Sequence, residues 1–386
     1  MADKKTFGAG AFFTAAGAVI AGLGVLFWIF GLQPLDYLKF LIGLAAGGAV
    51  PGVSLFVMLR LQGTRMERTF ISLVLGMTSS VLFYRLAALA GARSLFLLWL
   101  AGHFAHVLFR LIKNPPQGRD FRFSISRSGV VFIMLAVMVL AVLVSDNFRN
   151  GVSLPDGSLQ YHMHYLDGFV RNAVVRELSH SVPPQMSFAA GRSLSYHHAM
   201  DLFAAVFYRH LGLEVPDLLH RLTMAFFFFL LMGNVTIFMK RWTGRDSAGN
   251  IGIFLIVFCS GGFGFLCGLL TRYPAYWGKL FYSFYFLDMV SLNSFLPSIP
   301  ILCAGFFCLM MHLKNGEWKW LLPAAFFLAV IADYKMTFAA PVLGGLGLAG
   351  LFSLIRHRDI KLLRAGVLTG LMLVPLVALA LSLIHI

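Results

Sequence analysis

The sequence predicts an all-α polytopic membrane protein of about eleven transmembrane helices with one long extracytoplasmic loop, and three observations carry that prediction. Of 386 residues, 59% are hydrophobic and 12% charged, with 39 Phe and a mean hydropathy of +0.81. Soluble domains run at about 45–50% apolar and about 25% charged, so a soluble enzyme, a disordered chain and a fibrous protein are excluded. The apolar residues are collected in uncharged blocks of span length. Finally, the basic residues are one-sided, as topology requires.

The first block runs from Gly8 to Leu32, too long for the h-region of a signal peptide, and reads as an uncleaved first helix. Uncharged runs recur at 40–59, 69–84, 94–109, 128–145, 222–239, 247–271, 289–311, 336–355 and 365–384. A shorter piece, 320–332, ends in Asp333-Tyr334-Lys335 and needs neighbouring helices to span. Pro297 and Pro300 interrupt the run 289–311. With the N-terminus inside, the inner segments are 1–7, 60–68, 110–127, 240–246, 312–319 and 356–364. They carry 2, 3, 5, 3, 2 and 4 Lys and Arg, which is 19 of the 31. The net charge of +15 therefore reports topology and not a nucleic-acid partner. The expected location is a plasma membrane, the inner membrane in a bacterium, with the N-terminus cytoplasmic. Cys259, Cys267, Cys303 and Cys308 all lie in apolar runs and read as packing residues without a compartment signal. His103 and His106, at i,i+3 in the fourth span, read as histidines satisfied inside the bundle before they read as haem or metal ligands. The glycine-rich stretches Gly8 to Gly24 and Gly344 to Gly350 read as close helix contacts.

Residues 146–221 form the long outer loop and hold the polar chemistry. Seven of the 12 histidines fall there (His162, His164, His180, His197, His198, His210, His220), as do seven of the 16 acids. Apolar positions 166, 169, 170, 173, 174 and 178 make one helical face, with Asp167 and Arg171 spaced for an i,i+4 pair on the other. Ser181-Val182-Pro183-Pro184 stops that helix, and a second, nearly all apolar, covers about 198–212. The two helices are expected to lie on the membrane surface as a cap. Asp156, between Pro155 and Gly157, reads on its own as a turn residue. His162 and His164 share a face only in an extended strand, so no metal ligand set is assigned, and a divalent cation stays an open alternative. His197 and His198 are adjacent, so one of them faces a given site. Arg221 opens a span, and Lys335 stands beside Asp333 with an ion pair as the plain reading.

The run Asp156-Gly-Ser-Leu-Gln-Tyr161-His162, the helix after it and Val182-Pro183-Pro184 resemble the first external loop of integral-membrane glycosyltransferases with the GT-C fold. That superfamily includes the dolichyl-phosphate-mannose-protein mannosyltransferase-like enzymes. Leu194-Ser-Tyr196-His197-His198, the Arg221-Leu222 step and Tyr334-Lys335-Met336-Thr337 extend the resemblance in order along the chain. Gly157 stands where many members carry a second acid. The resemblance divides the chain into a four-helix N-terminal membrane region, 1–127, and a GT-C-like module, 128–380. It implies transfer of a sugar from a polyprenyl-phosphate carrier to a glycan, lipid or protein acceptor outside the cytoplasm, in contact with membrane lipids. Asp156, with Asp167 second, would be the general base. Arg221 and Lys335 would stabilise the departing lipid phosphate, and Tyr161, His162, His197 and His198 would orient donor or acceptor. Tyr273, Tyr276, Trp277, Tyr282 and Tyr285 would either stack on sugars or form an interfacial belt. A transporter, a lipid-carrier flippase or a polymerase-like membrane protein would share this hydropathy, but would more often line a path with mid-span charge, which is nearly missing here. A non-catalytic scaffold is a further alternative. The last six residues, 381–386, resemble the translation of a sequencing adaptor and are expected to be non-native, closing a truncated chain.

Overall fold

A computed structural model describes residues 6–7, 21–114, 123–124, 127–146, 148, 150–154, 156–161, 165–186, 189–194, 198–258 and 295–385. Within them the protein is an integral, multi-pass helical membrane protein. Six helices are long and apolar enough to cross a bilayer: α1 (Pro34–Met58), α2 (Arg65–Leu89), α3 (Leu95–Lys113), α7 (Val215–Thr243), α9 (Phe295–Asn315) and α11 (Met336–His357). Further apolar helices are α4 (Arg127–Asp146), α8 (Ser247–Phe258), α10 (Trp318–Tyr334) and α12 (Lys361–His385). The loop between α4 and α7 contributes α5 (Tyr165–His180) and α6 (Ala199–Leu211). Among the described residues, the β structure consists of three short antiparallel ribbons. Residues 8–20 and 259–294, with Cys259, Cys267 and the aromatics from Tyr273 to Tyr285, lie outside the described residues.

The centre of the bundle is α9, packed on α7 and on α10, with α12 and α11 beyond α10 and with α2 touching both α7 and α10. α10 has 17 residues, about 25 Å at helical rise. It is buried along almost its whole length, so neighbouring helices cover it where it falls short of the bilayer core. The expected break at Pro297 and Pro300 is absent. The described part of α9 runs from Phe295 through both Pro297 and Pro300 without interruption.

Helices α1 and α2 touch backbone to backbone. A Cβ at Gly52 would lie 1.8 Å from the Ser72 carbonyl oxygen, and one at Gly76 would lie 1.8 Å from that of Gly48. This is the small-residue contact the composition promised, at different glycines. Of the two stretches expected to make it, the first lies mostly outside the described residues, and in the second Gly344, Gly345 and Gly347 meet nothing while Gly350 presses on α12, at the Leu363 backbone. α1 also carries a π-turn at Ala45–Ala49, just before Pro51, where the Val50 N–H reaches back to the Ala45 carbonyl. A second π-turn, Leu218–Leu222, follows Pro216 inside α7.

The cap differs from expectation in its rotation. α5 buries Gly168, Arg171, Val174, Val175 and Leu178, while Phe169 and Val170 are 53% and 52% exposed. The reason is the partner: α5 packs on α6, and α6 in turn packs on α1, α2 and α10. α6 is therefore an internal helix, with Ala199 through Ala205 all buried.

Candidate functional site

The seam where α5 and α6 meet the ends of α2 and α10 collects buried charge. Arg85 of α2 and Asp333 of α10 form an ion pair of 2.6 Å with both side chains 3% exposed. Arg171 of α5 pairs with Asp201 of α6 at 3.3 Å and also touches the Met200 sulfur. His198, just before α6, is buried between the two pairs: its Nε2 lies 2.9 Å from the Leu194 carbonyl, and Asp201, Arg85 and Asp333 all act on it. Burial holds its pKa below the usual histidine value, which favours the neutral ring.

Lys335 sits at the break between α10 and α11, in extended backbone, with its N–H on the Ile331 carbonyl at 2.7 Å. Its ammonium pKa is lowered, first by burial and then by Arg171 nearby. The expected Lys335–Asp333 pair is not made, because Arg85 reaches the Asp333 carboxylate across the bundle. Arg171 turns inward to Asp201, and the side chain of Asp167, its expected partner, lies outside the described residues. Among the described residues, Arg85, Arg171 and Lys335 thus share the seam with Asp201 and Asp333.

A second polar group adjoins it through Arg171. Tyr161 accepts a 3.0 Å hydrogen bond from Asn172 and faces the Phe169 and His220 rings. Burial raises its pKa, against the smaller opposing effects of Asn172, Arg221 and Arg176. His220 is completely buried, wedged near Gly151, Gly168 and Tyr161, and neither ring nitrogen has a partner among the described residues. Arg221 is equally buried. Its guanidinium holds Asp217 and donates to the Phe148 and Asn150 carbonyls, both at 3.2 Å. These bonds tie the chain leaving α4 to α7, a fold-bearing use of the cation that the π-turn at 218–222 positions.

Asp156 stands apart. It is exposed at the tip of the ribbon formed by Val152–Ser153 and Leu159–Gln160. Its Oδ1 accepts from the Ser158 hydroxyl at 2.6 Å and the Ser158 N–H at 2.9 Å, which lowers its pKa. That is the turn geometry read from Pro155 and Gly157. The structure does not bring it into contact with Arg221 or Lys335. His162 and His197 lie outside the described residues.

Sequence reasoning missed Arg85, Arg171, Asp201 and His220 as members of these groups. Arg85 had a signal: a charge closing an otherwise apolar helix with an acid at the matching depth of another. Asp201 and His220 had none, since their partners are set by packing. Elsewhere, His103 and His106 both direct Nδ1 at the Ser54 hydroxyl, at 2.7 and 2.8 Å, satisfied as expected. Among the described residues no group of three or more His, Cys, Asp or Glu could hold a metal ion. No protein-family model, no characterised protein sequence and no solved structure matches this chain.

Proposed function

We propose that the protein is an integral-membrane glycosyltransferase of the GT-C type, moving a sugar from a polyprenyl-phosphate carrier to an extracytoplasmic glycan, lipid or protein. The observation that supports this reading is the cation-rich seam beneath the cap. A departing lipid phosphate needs no general acid, but its growing charge needs fixed cations in a poorly hydrated place. Lys335, desolvated beside Arg171, has that character. An arriving anion offsets the repulsion between Lys335 and Arg171. Neutral His198 serves as a positioning donor or acceptor in the same seam.

The base in this scheme is a loop carboxylate, Asp156 or Asp167. An exposed Asp with a lowered pKa is a weak base in the empty loop. Acceptor binding over the ribbon would remove water from the carboxylate and raise its basicity. The test is the pool of polyprenyl-phosphate sugars in a host expressing wild type, Asp156→Asn, Asp167→Asn or Lys335→Met at matched protein levels. The expected outcome is a sugar-loaded carrier that accumulates in the Lys335 variant and in one Asp variant. An unchanged pool and an unchanged outer glycan in all three would refute the transferase reading. Altered substrate flux in vesicles with an unchanged pool would favour the transporter.

A further inference from the structure

Away from the seam, a groove of about 380 Å³ lies between α1, α2, α3 and α6. Its lining is apolar apart from Ser80 and His210. Two of its walls carry Ile42 and Leu97, 56% and 55% exposed, so the groove opens sideways on the flank that faces lipid. Gly47, on the π-turn, keeps it open: a Cβ there would meet nothing within 4 Å.

The end of the groove at Phe96 and His210 is polar behind its lining. The Tyr84 ring stands edge-on to both, at 5.2 and 5.9 Å. Its hydroxyl is fully buried and has no hydrogen-bond partner among the described residues. Arg93 and Arg209 both act on that hydroxyl. Arg93 donates to the Ser179 and His180 carbonyls at 3.4 and 2.6 Å, and Arg209 also binds the Ser179 carbonyl. A guanidinium has five N–H donors, so these bonds occupy a minority of them. The other charges at this end are Arg176, 3.8 Å from Glu214, and Glu177, which accepts from Ser181. The balance is positive.

We propose that this groove is a binding site for an anionic phosphoglyceride of the surrounding bilayer, one acyl chain lying between α1 and α6 and the phosphodiester meeting Arg93, Arg209 and the Tyr84 hydroxyl. The groove offers a chain-shaped apolar slot open to lipid, and its end offers donors and no net negative charge. A phosphate oxygen there satisfies the buried phenol, whose lost hydrogen bond otherwise costs stability. The site is built from the N-terminal helices and α6 and is independent of the transferase reading.

The experiment is native mass spectrometry of the full chain released from nanodiscs of phosphatidylglycerol or phosphatidylcholine. Wild type is expected to retain one phosphatidylglycerol in preference to phosphatidylcholine. Arg93→Gln/Arg209→Gln should cut that preference about tenfold, the equivalent of one charge-assisted hydrogen bond. Gly47→Leu, which fills the slot, should lose bound lipid, while Gly47→Ala should keep it; a matching size-exclusion profile for the two shows that folding is not the cause. Equal retention in all variants, or no preference for the anionic lipid, would overturn the proposal. So would displacement of phosphatidylglycerol by an equimolar polyprenyl monophosphate, which would give the groove to a carrier lipid instead.

Discussion

The Arg85–Asp333 pair makes the sharpest prediction about what joins two helices of the bundle, α2 and α10. Both side chains are 3% exposed and their closest atoms are 2.6 Å apart, so α2 and α10 share one desolvated ion pair. Replacing Arg85 with Met leaves the Asp333 carboxylate buried with its closest cation gone. The expected cost is about 3–5 kcal/mol, a large part of a typical folding free energy. Asp333→Leu strands the guanidinium at a similar cost. The double variant Arg85→Met/Asp333→Leu removes both desolvation penalties and packs apolar groups in their place. It should return to within about 1 kcal/mol of wild type. Unfolding free energies in mild detergent, measured for all four proteins, give the coupling directly, and it should exceed about 2 kcal/mol. If Arg85→Met falls within about 0.5 kcal/mol of wild type, or if the two single effects simply add, the pair does not join these helices as argued.

Two further outcomes are expected. Gly76→Val should destabilise by at least about 1–3 kcal/mol, because α1 must move off the Gly48 carbonyl, whereas the same change at Gly345, in open space, should be near neutral; thermal melting of the two variants checks this. His198 has a folded pKa below its unfolded value of about 6.5, so the unfolded chain binds the extra proton first. Stability is therefore complete above that value and is lost as the pH falls below it. His198→Gln should flatten the melting temperature between pH 7 and 5, and an unchanged slope would show that the acid sensitivity arises at other groups.

Much of the fold was legible in the primary structure. Span-length blocks located the six membrane-length helices to within about seven residues at either end, because a bilayer imposes both length and apolarity on a helix. The two cap helices followed from period and from the Pro183-Pro184 stop. The Asp156 turn followed from its Pro and Gly neighbours, since those residues act locally. The errors have a common physical origin. The buried face of α5 was read from its own hydrophobic period, yet it was set by what α6 presents, so Arg171 went in and Phe169 and Val170 stayed out. The i,i+2 charge pair at Asp333–Lys335 was read as local, where the long-range partner Arg85 won.

The sequence by itself determined that this chain lives in a membrane, where its helices run and which loop carries its polar residues, because those properties are sums over local composition. Only the tertiary structure decided which polar residues meet. Arg85 and Asp333 are 248 positions apart, and Arg171 and Asp201 are 30. What joins them is the packing of α2 on α10 for the first pair and of α5 on α6 for the second. Inside that packing a charge cannot keep its water, so each must take the nearest opposite charge that the fold delivers.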